Sequence, residues 1–85
     1  MQTEETVKKL LRTIADDSEK RKVLVDEPDS STAYVGEAAL GSATSAAVWR
    51  IKRISVSGTV TTITWADGNE NFDNVWDNRA SLSYS

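Results

Sequence analysis

A chain of 85 residues with 13 acidic and 10 basic side chains, net charge −3, spreads both signs along its length, which disfavours general nucleic-acid binding because phosphate affinity needs a concentrated basic surface. It has no cysteine and no histidine, which removes a disulfide framework, a thiolate metal centre, the commonest general base and the commonest neutral metal ligand. One domain of this size buries only about 60% of the surface its unfolded chain exposes. The thin core must draw on the three tryptophans, each able to bury about 200 Å², or on association with other copies.

In chain order, Met1 to about Glu19 reads as an amphipathic helix. Glu4 and Glu5 place negative charge in its first turn, and Val7, Leu10, Leu11 and Ile14 make a narrow apolar stripe at helical spacing. The stripe can lie on a sheet in cis, or it can begin a heptad seam between copies. The run 16–22, DDSEKRK, suits a solvated helix end. Val23–Val25 is a brief strand, and a loop over 26–32 follows, carrying Pro28 and any hinge. Residues 1–25 thus form a docking or oligomerisation segment, and 33–85 an antiparallel β domain.

Residues 33–38, AYVGEA, read as a strand in which Gly36 marks a bulge or a close backbone approach, and 41–47 as a small-residue linker. The centre of the chain is 46–66, AAVWRIKRISVSGTVTTITWA, two strands and a tight turn. A three-residue loop, Val56-Ser57-Gly58, pairs Ile51 with Ile63 and Trp49 with Trp65, so both tryptophans pack in the core while Arg50 and Lys52 face Thr62 and Thr64 on a wetter side. Ile54 and Val56 break this alternation, as a twist or a second buried surface would.

Asp67-Gly68 signals a type I′ turn. Phe72, Val75 and Trp76 share helical spacing, which tucks all three onto the sheet, and a last half-buried strand alternates Ala80, Leu82 and Tyr84 with serines. Oxygen-bearing side chains at 67, 69, 71 and 73 imitate the start of a calcium loop. Phe72 stands where such a loop needs glycine and Asn78 where it needs a bidentate glutamate, and turn-capping by these Asx residues is the ordinary role. Asp67, Glu70, Asp73 and Asp77 could supply a glycosidase-like acid pair, but so small a domain has no room for the deep cleft in which such a pair flanks a sugar bond. Arg79 beside Asp77 suggests an ion pair. Trp76, Arg79 and Tyr84 join the helix stripe as candidate interface residues.

The segments Tyr34-Val-Gly-Glu-Ala, then GSATSAAVWRIKRI from Gly41, ITWADGN from Ile63, and above all NFDNVWDNRASLSY from Asn71, resemble a group of small proteins encoded in tailed-bacteriophage genomes. The resemblance covers about Tyr34 to Tyr84 and carries no catalytic or binding residue with it. It implies a virion structural protein of the capsid, neck, tail or fibre, made in the host cytoplasm.

The fold expected is therefore α+β: mainly antiparallel β, a small meander or barrel-like sheet, led by the N-terminal helix. The function expected is non-enzymatic, needing no cofactor or metal. It would act through a homo-oligomer, trimer or hexamer, and through other phage virion proteins, with no membrane or direct nucleic-acid partner. The alternative is a host-surface glycan-binding module at a fibre tip, using Trp76 or Tyr84.

Overall fold

The computed structural model describes residues 21–85. The expected helix lies outside the described residues, with its Val7, Leu10, Leu11 and Ile14 stripe. Strands β1 (Arg21–Asp29), β2 (Thr32–Ala39), β3 (Ala47–Ser57) and β4 (Val60–Trp65) form an antiparallel meander in that spatial order. The short β5 (Asn74–Val75) pairs with β3, and a 3-10 helix spans Trp76–Ser81. The sheet does not close into a barrel: among the described residues β1 and β4 are its edges.

Where the sequence suggests a loop over 26–32, β1 continues to Asp29 and only Ser30 and Ser31 turn the chain. Pro28 is tolerated because β1 is an edge strand and the pairing register shifts between Asp26 and Asp29. The Asp29 carboxylate closes the turn, accepting hydrogen bonds from the Ser31 amide at 2.8 Å and the Ser31 hydroxyl at 3.1 Å. The amide bond also holds the Asp29 carboxyl below the usual carboxylate range.

The central hairpin differs from the expected register. Ser57 pairs with Val60 across a two-residue turn, Gly58-Thr59, so Ile54 faces Ile63 and Lys52 faces Trp65. Gly58 takes φ 60° while Thr59 does not enter the left-handed region, the II′ pattern suited to the twist of a hairpin. The shift moves Trp65 to the face opposite Trp49. Arg50 and Lys52 do share a face away from Trp49, but it is Arg53 that pairs with Thr64.

Strand alternation and the registers give the sheet two apolar faces. The near face carries Leu24, Tyr34, Gly36, Ala38, Trp49 and Ile51, and its core of Ala38, Trp49, Ile51 and Ala66 is completed by Trp76, Leu82 and Tyr84. The far face carries a second cluster, Ala33, Val35 and Ile54 with Val23. This is the second buried surface that Ile54 signals in the sequence.

The C-terminal segment departs most from expectation. Asp67 and Gly68 have φ 59° and 71°, as a type I′ turn requires, but the chain then crosses to β3 instead of returning along β4. Phe72 and Trp76 end on opposite faces: Trp76 is buried on the near face, while Phe72 is exposed beside the far-face side chains of Arg21 and Arg50. The 3-10 helix runs on through Arg79, Ala80 and Ser81, where the last strand is expected to have begun, and the Ser81 hydroxyl donates back to the Asn78 carbonyl at 2.9 Å. Such local side-chain bonds favour turns over ladders. Only Tyr84 bridges as a strand residue, opposite Ala66.

Candidate functional site

The candidate interface residues Trp76, Arg79 and Tyr84 come together as a clasp over the near face. Its seat is Gly36, where a Cβ would stand 2.5 Å from Trp76 Cε3. The glycine is needed for close approach, as the sequence suggests. The Trp76 ring tilts against Trp49 with centroids 5.9 Å apart, an arrangement that adds to simple area burial, and the Trp49 indole N–H donates to the Ala43 carbonyl at 3.0 Å.

Arg79 locks the clasp to β1. Its Nε donates to Asp26 Oδ2 at 3.0 Å and its guanidinium donates to the Trp76 carbonyl at 3.2 Å. The same group lies 4.6 Å over the Trp76 ring. Its ionic partner is thus Asp26, not the neighbouring Asp77. Tyr84 donates its hydroxyl to the Arg79 carbonyl at 2.7 Å, stacks obliquely on Tyr34 and lies under Arg53. Burial first, and then the neighbouring Tyr34, push the Tyr84 phenol up to about 12, outweighing the opposite pull of Arg53 and Arg79.

The far face holds a network that the sequence reading missed. Glu37, 7% exposed, accepts from both Arg50 and Arg21, the latter at 3.4 Å. Arg50 also reaches Glu70 at 3.9 Å. Two aromatic rings interleave with the cations: Trp65 beneath Arg50 and Lys52 at 5.5 and 5.2 Å, and Phe72 beneath Arg50 and Arg21 at 4.8 and 5.1 Å. Each such contact is worth about 0.5–1 kcal/mol where exposed. The one available signal was the opposite charge of Glu37 and Arg50 on adjacent predicted strands, but locating the pair required the β2–β3 register.

In the Asp67–Asn78 stretch two side-chain oxygens serve local bonds: Asn69 Oδ1 accepts from the Asn71 amide at 2.9 Å, and Asp73 Oδ1 from the Asn74 side chain at 3.2 Å. Among the described residues no group of three or more Asp or Glu converges where it could hold a metal ion. A shallow hollow of about 480 Å³ is lined by Arg21, Ala39, Ser42, Val48 and Phe72, an apolar floor with one cation and no nucleophile–base pair. No described helix is long and apolar enough to cross a membrane.

No protein-family model, curated protein or solved structure matches this chain.

Proposed function

We propose that the chain is a non-enzymatic assembly module, a structural component of a tailed-bacteriophage particle that works through contacts with copies of itself and with neighbouring virion proteins. The observation that carries the assembly reading is where apolar surface is spent. The near face is sealed by the chain's own clasp, whereas Val25, Val60, Ile63 and Phe72 stay exposed on the far face and the β4 side. In a domain with so small a core, such surface is more useful joined to another molecule than left in water. The phage context comes from the resemblance of residues 34–84.

The reading is tested by mass spectrometry of purified particles from the phage that encodes the chain. The expected result is the protein at a fixed stoichiometry to the other virion proteins, retained through gradient purification. Its confinement to the soluble fraction of the lysate would overturn the reading.

A further inference from the structure

The two edges of the sheet are built on opposite rules. β1 carries Lys22, Asp26, Glu27 and Asp29, a proline and a shifted register, which are the devices that stop an edge from recruiting another strand. β4, VTTITW, has no charge, no proline and no glycine, and every residue in it is β-branched or aromatic. Val60 and Ile63 are 61% and 43% exposed there.

Backbone direction defines what this edge offers. The Ala66 amide donates inward to the Ile51 carbonyl, whereas Trp65 exchanges both of its backbone bonds with Ser85 on the outer side. Alternate residues point to opposite sides, so Thr64, Thr62 and Val60 face β3, while Ile63 and Thr61 face outward. Ser85 occupies the outer edge at Trp65, and among the described residues no strand pairs with the stretch from Thr59 to Ile63. Its centre is Thr61.

We propose that β4 is a homodimerisation edge, at which two copies of the chain pair antiparallel about a two-fold axis through Thr61 and extend one sheet into the other. This rests on the assembly reading above and names its partner and surface. In this register Thr61 meets Thr61 of the second copy and Thr59 meets Ile63, each offering the donor and acceptor that the other lacks. Trp65, with Ser85 beside it, falls beyond the end of the partner's β4, so Ser85 does not collide with it. The uncharged strand sets no like charges opposite each other, whereas β1 paired with itself would bring acids against acids. A second copy is therefore the occupant that β4 fits and β1 refuses.

The contact is short, so the dimer is expected to be weak and reversible, as small interfaces are. Light scattering of the full chain over a concentration series should show a monomer–dimer equilibrium. Thr61→Pro removes an outward N–H that the β3–β4 ladder does not use, and Thr61→Lys adds an edge charge without touching the backbone. Each should raise the dissociation midpoint at least tenfold while circular dichroism stays native. Because the chain has no cysteine, Thr61→Cys gives a direct register test: facing Cα atoms about 5.5 Å apart lie within disulfide reach. That variant should oxidise to a covalent dimer, and Ser30→Cys in the exposed β1–β2 turn should not.

A monomer at every concentration would overturn the proposal, as would an oligomer indifferent to both Thr61→Pro and Thr61→Lys, or a Thr61→Cys variant that crosslinks no better than Ser30→Cys. The two readings fail separately. Absence from particles removes the assembly reading but leaves a dimer in solution, whereas a monomer found in particles removes the edge and leaves the assembly reading.

Discussion

The two faces of the sheet solve the same problem with different means. On the near face the chain folds its own C-terminal segment back, seating Trp76 in the space that Gly36 leaves open and fastening it with Arg79 to Asp26. On the far face a buried glutamate gathers two arginines, and the exposed Phe72 and half-buried Trp65 rings lie among the cations. The near face thus depends on shape, with little tolerance for added or missing volume. The far face depends on charge pairing at partial exposure, where single changes cost less and respond to salt.

The comparison breaks most readily at the near face. Trp49→Ala should lower stability by about 3–5 kcal/mol, since it empties a fully buried site, measured as a fall in urea midpoint. Gly36→Ala adds a methyl group where Trp76 already lies and should cost about 1–3 kcal/mol. Combined with Trp76→Leu, which frees that space, its cost should be less than additive, and strict additivity would show that the ring is not seated on the glycine. On the far face, Glu37→Gln weakens the arginine pairing and should cost about 1–3 kcal/mol, with a salt dependence absent from the Trp49 variant. Asp26→Asn, at the partly buried ion pair that fastens the clasp, should cost about 1 kcal/mol, the upper end for an exposed pair.

The smallest effect is a pH dependence. Because the Tyr84 phenol is pushed up to about 12 in the folded protein, its contribution to stability is complete below pH 10, the unfolded value, and is lost as pH rises toward 12. Denaturation midpoints should fall across that window, and Tyr84→Phe should flatten the fall. An unchanged slope would mean that another group governs alkaline unfolding.

How much was legible in the sequence depends on whether a feature was local. Gly36 as a point of close approach, the Asp67-Gly68 turn, and the separation of Trp49 and Ile51 from Arg50 and Lys52 are short-range consequences of backbone chemistry and alternation. The hairpin register was not legible, because β3 carries apolar residues on both faces. Trp49 and Ile51 mark one, Ile54 and Val56 the other, so burial did not favour one pairing strongly enough. A three-residue change in register, Ile63 opposite Ile54 instead of Ile51, then moved Trp65 across the sheet. The ending SLSYS imitates a half-buried strand by alternation, yet its leading residues coil because Asp, Asn and Ser bond locally. Arg79 and Asp26, 53 residues apart, left no local trace, and the Glu37–Arg50 pair was recoverable only once β2 and β3 were aligned.

The clasp also sets an order of events during synthesis. Residues 76–85 follow every strand they cover, so the β1–β4 meander leaves the ribosome with Trp49, Ile51 and Ala38 still uncovered on its near face. The hairpins can form early from neighbouring residues, but the near-face core closes only when a contact spanning most of the described chain is made, the kind of closure that slows folding. Until then the nascent sheet exposes both that face and the uncharged β4 edge, which makes this interval the molecule's period of greatest exposure to aggregation.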